Sequence, residues 1–370
     1  MRVLVAPGRV GELSPPEVSR IVATAWREAA PHVEIEALPQ IDGGIGTASV
    51  LASVFDSAFA SGDVDATVVE AHGARVPAFV SADGTRAWLD AAEAEAAGAP
   101  GSGTLGAVVA ALADAGAHTL SIGLSRTAAL DGGRGFVAAL AGTAAHEPDA
   151  DAVRRAAERL AGLRISALVD TDRQLLGFQG ASFSAVEELG VTKQAAQAAE
   201  HAMGQWLDVV RAAVPARTDL LAGTSIRPER QPGSGAGGGL GFLLAALGAA
   251  LVPAPAFGAR ATGLADRVAA SDLVVTATGI FDWRVLEHSV LAEVAAAAGA
   301  LARPAVVLAD EVHVGRREQM SLGLQGTYSI SRSGWMRPEP LAVAELADEL
   351  ARLTRRVAGT WKPAPRPDVP

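Results

Sequence analysis

The strongest constraint on the fold is the alternation of short apolar strand patterns with helical patterns along the chain. Residues 2–6 and 33–38 have the composition of strands, and apolar side chains at helical spacing lie between them. That helix opens with Ser-Pro-Pro-Glu at 14–17, which matches a capping box with proline in the first turn. A strand, a helix and a second strand in this order favour a parallel sheet. The sequence therefore predicts an α/β protein.

The length of 370 residues suits about two domains. We expect a Rossmann-like parallel-sheet domain built from both chain ends, residues 1–65 and 262–361. A second α/β domain, residues 66–261, is then inserted between these two segments. The last residues, 362–370, contain four prolines and are predicted to be a disordered tail.

Composition excludes several classes of protein. The net charge of −10 argues against nucleic acid as a partner, and the absence of cysteine excludes disulfides and thiolate sites. The longest uncharged stretch, residues 232–259, begins with glycines and contains two prolines, which favours a loop and a buried helix over a membrane span. The first residues lack a secretory signal pattern, so a cytoplasmic location is expected. The oligomeric state stays open.

The segment Asp-Gly-Gly-x-Gly occurs twice, at residues 42–46 and 131–135, each time after a predicted strand and before an apolar helix. Amide groups at such a helix start can face an anion, and the aspartates Asp42 and Asp131 can hold a hydroxyl group or a metal-bound group. The same pattern is also typical of plain turns and helix caps, and both interpretations stay open. The candidate phosphate- or substrate-binding residues here are Gly43, Gly44, Thr47, Gly132, Gly133 and Arg134.

A third glycine-rich segment covers residues 232–242 and contains Gly-x-Gly-x-x-Gly at 233, 235 and 238. Residues 227–231 before it are polar, so the strand that a dinucleotide-binding fingerprint requires is missing. Glycine at this density still indicates close backbone approach, either to a phosphate or to a packed helix. Gly235, Gly238 and Gly239 are therefore further binding candidates.

Two carboxylates, Asp170 and Asp172, follow the strand predicted over residues 165–169. Side chains two apart point the same way, so the pair could hold a cation, although a solvated turn explains the spacing equally simply. Asp310, Glu311 and His313 follow another predicted strand, but their spacing does not specify a metal site. No His-Glu-x-x-His or Walker-type motif is present.

Taken in order, these segments resemble those of the bacterial glycerate kinase family over nearly the whole chain. The resemblance includes both Asp-Gly-Gly segments, Asp-x-Asp at 170–172, the glycine run, and residues 272–282 ending in Asp282. It implies transfer of a phosphoryl group from ATP, with Mg²⁺, to a hydroxyl group of D-glycerate. In a divergent kinase of this family, Asp42, Asp131 and Asp282 would be the retained catalytic polar core and Arg9, Arg126 or Arg134 would take over charge neutralisation. Asp170 and Asp172 are the candidate metal ligands.

The chain departs from the family pattern where that pattern carries charge. An acidic residue and a lysine are missing from the loop at 8–12, Ile45 replaces a glutamate, and Thr278 and Ile280 replace a glutamate and an arginine. Two interpretations follow: a divergent kinase of glycerate or a related hydroxy acid, or a catalytically silent relative that binds a ligand or regulates. Convergent carboxylates with room for a nucleotide would favour the first. Apolar filling by Ile45, Ile280, Phe281 and Trp283 would favour the second.

Overall fold

The computed structural model describes residues 1–56, 66–71, 73–125, 130–143, 147–215, 217–218, 223–331 and 339–361. Arg126 and the predicted tail, 362–370, lie outside the described residues. The described strands are β1 (Arg2–Val5), β2 (Glu34–Ala37), β3 (Thr67–Ala71), β4 (Ala74–Val80), β5 (Arg86–Asp90), β6 (Thr119–Leu124), β7 (Arg164–Val169), β8 (Ala250–Pro253), β9 (Leu273–Phe281), β10 (Ala305–Val312) and β11 (Gly326–Ser329). The described helices are α1 (Pro15–Ala29), α2 (Thr47–Phe55), α3 (Ala91–Ala97), α4 (Gly103–Asp114), α5 (Arg134–Ala141), α6 (Ala150–Arg159), α7 (Ala181–Leu189), α8 (Lys193–Ala213), α9 (Leu240–Ala246), α10 (Ala254–Ala261), α11 (Leu264–Ala269), α12 (Val290–Ala300), α13 (Arg316–Ser321) and α14 (Val343–Trp361).

The chain divides into two compact units. The first contains Met1–Asp42 and Pro255–Pro370, and the second contains Gly43–Ala254. The boundaries thus fall at 42/43 and 254/255, whereas the sequence analysis placed them at 65/66 and 261/262. The difference at the first boundary concerns α2, which packs on β4, β5 and β6 of the second unit.

The first unit is a parallel sheet assembled from both ends of the chain, with strand order β11-β10-β9-β1-β2. Alternate side chains of β1 are buried on opposite faces of this sheet. Val3 and Val5 pack in a cluster with side chains of α1 and α14, while Leu4 packs in another with α11 and α12. Burial on both faces explains why these strands are almost continuously apolar.

Helix α1 begins as the sequence predicts. The Glu17 side chain accepts a hydrogen bond from the Ser14 backbone N–H at 2.8 Å, completing the capping box. Val18, Val22 and Trp26 then place one apolar stripe of the helix in the core of the first unit.

The second unit is a six-stranded mixed sheet with order β3-β4-β5-β6-β7-β8. Strands β5 to β8 are parallel, while β3, β4 and β5 form an antiparallel meander. Its core packs side chains of the parallel strands, such as Leu120 and Ile122, against α4, α5 and α8. The protein is therefore a Rossmann-like parallel-sheet unit made from both chain ends, with an inserted second α/β unit, as predicted.

Candidate active site

Loops that follow the parallel strands of the second unit gather at one edge of its sheet. Helix α2 begins there, and its first turn is bound by the buried side chain of Asp90 at the end of β5. Asp90 Oδ2 accepts from the Gly46 N–H at 2.8 Å, and Asp90 Oδ1 accepts from the Ala48 N–H at 2.9 Å. The N–H groups at this helix start are thus bonded by a carboxylate of the protein itself, as in a helix cap.

The second Asp-Gly-Gly segment is built in the same way around Asp131. Its Oδ1 accepts from the Gly133 N–H at 2.9 Å, and its Oδ2 accepts from the N–H groups of Ser102 and Gly135 and from the Ser102 hydroxyl, at 2.7 to 3.2 Å. Four donors therefore engage the carboxylate. This arrangement ties the start of α5 to the start of α4.

Arg134, the first residue of α5, lies against α8. Its guanidinium donates to the Ala202 carbonyl at 2.6 Å and lies 5.2 Å from the ring centre of Trp206. Burial lowers the pKa of Arg134 from its ordinary value, and the neighbouring charge of Asp131 opposes that shift. The charge of Arg134 is therefore already engaged by groups within the second unit.

The glycine-rich segments approach other parts of the protein backbone closely. The Gly132 N–H donates to the Gly238 carbonyl at 3.0 Å, and the Gly235 N–H donates to the Arg173 carbonyl at 2.9 Å. A Cβ atom on Gly235 would lie 2.6 Å from the Gln174 carbonyl oxygen, so only glycine fits there. Of the two explanations left open for the glycine run, close packing of protein on protein accounts for these contacts.

The first Asp-Gly-Gly segment reaches the same edge through Gly43. With φ of +88°, Gly43 sits so that a Cβ atom would lie 2.8 Å from the Leu168 carbonyl oxygen near the end of β7. Its N–H donates to the Thr47 hydroxyl at 3.1 Å, and Gly44 is buried beside it. Within the second unit, Gly43 and the Asp131 segment thus lie at the carboxyl ends of neighbouring strands. Ligands of open α/β sheets bind at this kind of edge.

A small cavity lies beside Asp131, lined also by Ser102, Glu95, Gly237 and Leu240. Its volume is about 20 Å³, which is enough for a single water molecule. This cavity is therefore too small for a phosphate group.

The carboxylates of Asp170 and Asp172 follow β7 directly. Asp170 is half-buried and Asp172 is exposed. In the part of the chain that the structure describes, no group of three or more acidic or histidine side chains is placed to hold a metal ion. A cation at this position would therefore be held by these two aspartates and by oxygen atoms of a bound substrate.

In the first unit, the loop after β1 carries Arg9 and the loop after β2 carries Asp42. Arg9 Nε lies 3.3 Å from Asp42 Oδ2, and the two side chains are 29% and 24% exposed. They are thus paired and reachable from solvent. Arg9, one of the arginines suggested to neutralise charge, is thus paired with the candidate catalytic aspartate Asp42.

Asp282, which follows β9, is also paired with an arginine, Arg284, which lies two residues further along the chain. Asp282 Oδ2 accepts from Nε and Nη2 of Arg284 at 2.8 and 2.5 Å, and Oδ1 accepts from the Arg284 N–H at 2.9 Å. Both oxygens thus cap the turn that follows β9. The sequence analysis did not identify Arg284, although an arginine two residues after a candidate aspartate is a local signal for such a clamp.

The four apolar residues that the sequence analysis named as possible fillers of the site differ in their exposure to solvent. Ile280 is 46% exposed and Trp283 is 69% exposed, whereas Phe281 is fully buried in the core of the first unit. Ile45 is half-buried. Ile280 and Trp283 therefore do not plug the site in the structure.

Asp310 and Glu311 lie within β10, which runs three residues further than the sequence indicates. Glu311 is buried, and its Oε2 lies 2.7 Å from His313 Nε2. Its position is fixed by pairing with Ile280 of β9. Asp90 is a further polar residue that the sequence analysis missed. It directly precedes α3, but its side chain bonds to the start of α2 instead, a contact that no local pattern indicates.

No described helix is both long enough and apolar enough to cross a bilayer.

Comparison with known proteins identifies one family. Residues 3–362 match the model of the glycerate kinase family. An uncharacterized protein of Mycobacterium tuberculosis is 33% identical over 97% of this chain and 91% of its own length. The glycerate kinase of Bacillus subtilis and the glycerate 2-kinase of Escherichia coli are each 25% identical, covering 98% and 97% of this chain and 98% of each relative.

A solved structure shares the fold of this chain. The crystal structure of "putative glycerate kinase 2" from Salmonella typhimurium LT2 superposes with a TM-score of 0.67 at 23% identity, covering 97% of this chain and 96% of that one. The resemblance inferred from the sequence is thus confirmed, and the low identities fit a divergent member. The chain belongs to the glycerate kinase family.

Proposed function

We propose that this protein transfers a phosphoryl group from ATP to a hydroxyl group of a small hydroxy acid, with D-glycerate the first substrate to test. Membership of the glycerate kinase family supports this proposal. The observation that carries it is the pair formed by Arg9 and Asp42, a cation and a carboxylate 3.3 Å apart and partly open to solvent.

Such a pair can perform the two tasks that phosphoryl transfer asks of a protein, which are positioning and charge neutralisation. Asp42 would orient the substrate hydroxyl and accept its proton as the hydroxyl oxygen bonds to the γ-phosphorus. The bond from that phosphorus to the bridging oxygen of ADP breaks in the same step. Arg9 would stabilise the negative charge on the substrate carboxylate or on the transferring oxygens.

The family also implies Mg²⁺. This ion takes oxygen ligands and commonly uses one or two carboxylates together with waters and substrate phosphates. Asp170 and Asp172 match that donor set in number and in kind, because both are aspartates and Asp172 is exposed. When bound, the ion would neutralise charge on the nucleotide phosphates.

We expect turnover below the roughly 1 to 100 s⁻¹ of ordinary kinases, because several charged residues of the family pattern are replaced. The test incubates the protein with ATP, Mg²⁺ and D-glycerate and quantifies phosphoglycerate by mass spectrometry, with glycolate and L-lactate as alternative acceptors. Slow product formation that requires the hydroxy acid supports the proposal. Turnover at an ordinary kinase rate contradicts the expected slow reaction. Absence of product with every hydroxy acid contradicts phosphoryl transfer.

A second candidate function, ligand binding without transfer, is favoured by the engagement of Asp131 with four donors and of Asp282 with Arg284. The same preparations discriminate between the two functions in a thermal-shift series with ATP, ADP, Mg²⁺ and hydroxy acids. A ligand that binds the native state raises the melting temperature whether or not chemistry follows. Stabilisation without product supports this second function.

A further inference from the structure

A glutamate and a histidine at the end of β10 form a pair that the proposed reaction does not use. Glu311 Oε2 lies 2.7 Å from His313 Nε2, and 8% of the glutamate side chain and 21% of the histidine side chain are exposed. Successive strand residues alternate between faces, so Asp310 lies on the opposite face of β10 from Glu311. A buried carboxylate thus holds an imidazole that reaches the solvent at the carboxyl end of a parallel strand, where ligands of such sheets bind.

The hydrogen bond between the two side chains decides which ring nitrogen is available. A carboxylate only accepts hydrogen bonds, so His313 Nε2 carries the hydrogen, and Nδ1 of the neutral ring keeps its lone pair. Nδ1 has no hydrogen-bond partner among the described residues, and it is not a buried atom. The ring therefore presents its nucleophilic nitrogen to solvent.

The backbone fixes both members of the pair. The His313 N–H donates to the Phe281 carbonyl at 2.8 Å, and Glu311 and Val312 are paired with Ile280 and Phe281 of β9. A carboxylate held in this way needs no reorganisation when positive charge develops on the imidazole. An imidazole that is oriented through one nitrogen by a carboxylate and free at the other is an arrangement that proteins use for nucleophilic histidines.

The turn that follows His313 favours an anion. Arg316 and Arg317, the first residues of α13, are exposed and form no ion pair within the part of the chain that the structure describes. Two arginines against one acidic residue, Glu318, give this turn a positive charge. Three residues span at most about 11 Å, so the Arg316 side chain can approach an anionic group at the imidazole.

We infer that His313 is a phosphoryl-acceptor site. The Nδ1 lone pair bonds to the phosphorus of a phosphoryl donor, and the bond from phosphorus to the leaving group breaks, with its electron pair going to the leaving group. The Nε2 hydrogen stays in the hydrogen bond to Glu311, whose charge stabilises the positive charge that the ring gains. The donor is either ATP, which leaves as ADP, or a small free donor such as phosphoramidate, which leaves ammonia. The site does not depend on the proposed transfer to a hydroxy acid.

The test incubates the full chain with phosphoramidate and, in a second arm, with ATP and Mg²⁺ in the absence of a hydroxy acid. Mass spectrometry without acid treatment locates the labelled histidines, and phosphorus NMR distinguishes the Nδ1 product from the Nε2 product. We expect phosphoramidate to label His313 at Nδ1 about tenfold faster or more than the exposed His32, His118 and His201, although His313 is the least exposed of the four.

Two variants examine the role of the carboxylate. Glu311→Gln keeps the shape of the side chain but removes its charge, so labelling of His313 should slow to the rate of the exposed histidines and lose its preference for Nδ1. Glu229→Gln, at an equally buried glutamate of the second unit, should label His313 as the wild type does.

Two results overturn the inference: labelling of His313 no faster than that of the exposed histidines, or labelling of His313 at Nε2. If Glu311→Gln does not fold, the comparison among histidines of the wild-type chain decides alone. Label on His313 from ATP supports the inference with ATP as the donor. Absence of that label, with the phosphoramidate label retained, supports a free donor as the source and leaves the proposed function untouched.

Discussion

Asp90 holds Gly46 across 44 residues of sequence, with its Oδ2 atom 2.8 Å from the glycine N–H. Its second oxygen accepts from Ala48, so both bonds lie in the first turn of α2. A carboxylate in this position satisfies N–H groups that have no partner within the helix and interacts favourably with the helix dipole. The same arrangement occurs at the start of α5, where the Asp131 carboxylate accepts hydrogen bonds from the N–H groups of Gly133 and Gly135.

Replacing Asp90 should loosen the start of α2. In Asp90→Ala, the amides of Gly46 and Ala48 lose their acceptor, so their hydrogen exchange should accelerate by at least tenfold while Val18 in α1 keeps its protection. Exchange measured by NMR or mass spectrometry checks this. Unchanged protection at Gly46 and Ala48 would show that the carboxylate does not hold the turn.

Asp131→Asn should destabilise the second unit by about 2 to 3 kcal/mol, because the amide offers one acceptor oxygen where the carboxylate engages four donors. The matched control is Asp149→Asn, at the start of α6, where a single donor at 2.8 Å is involved. Its expected cost is at most about 0.5 kcal/mol, because asparagine caps a helix as well as aspartate does and only the interaction of the charge with the helix dipole is lost. Urea unfolding of both variants gives the comparison, and equal midpoints would contradict the role assigned to Asp131.

Asp42→Asn should lower kcat for phosphoglycerate formation at least 100-fold, the typical contribution of a positioned proton acceptor. Its melting temperature should change little, because a partly exposed ion pair contributes about 0 to 1 kcal/mol. Asp348→Asn, at an exposed position of α14, serves as the control and should keep full activity. Asp42→Asn with normal kcat would remove Asp42 from the mechanism.

The turn between β4 and β5 should remain intact to low pH. The hydroxyl of Ser81 and the amide and hydroxyl of Thr85 donate to Asp83 and lower its pKa to about 2 from its ordinary value of 3.8. Because the folded value is the lower one, the stabilisation is complete above about 3.8 and is lost as the pH falls toward 2. An NMR titration of the Asp83 carboxyl carbon should show a midpoint at a pH of about 2.

Ser81→Ala removes the largest of these contributions and should move the midpoint of Asp83 upward. Ser184→Ala, at a hydroxyl that bonds only to backbone carbonyls of α7, should leave it unchanged. A wild-type midpoint near 3.8 would contradict the assignment.

Much of the fold could be predicted from the sequence because its signals are local. Strand β7 ends at Val169 as predicted, and the Ser14–Glu17 cap was recognisable from four residues. Strand β10 was predicted to end at Ala309, because Asp310 and Glu311 are polar. It continues because Glu311 is paired with β9 and bonded to His313, and neither contact is visible along the chain.

The candidate site could be predicted only in part, for the same reason. Two interpretations of the glycine-rich helix starts were left open, an anion site and plain helix capping, and in the structure a carboxylate of the protein bonds to the N–H groups of each. That the anions are Asp90 and Asp131 depends on the pairing of loops from different strands, which spacing does not encode. The pairing of Arg9 with Asp42 likewise joins loops 33 residues apart.

The division of the first sheet between both chain ends has a consequence for synthesis. Strand β1 takes its place in the sheet beside β9, which ends at residue 281, while β2 ends at residue 37. At about 5 to 20 residues per second, the ribosome needs roughly 12 to 50 s to produce the intervening 244 residues. During that time the inserted unit is completed, while the amino-terminal segment still lacks β9 and the side chains of α11 and α12 that cover Leu4, so it exposes apolar surface that a chaperone would protect.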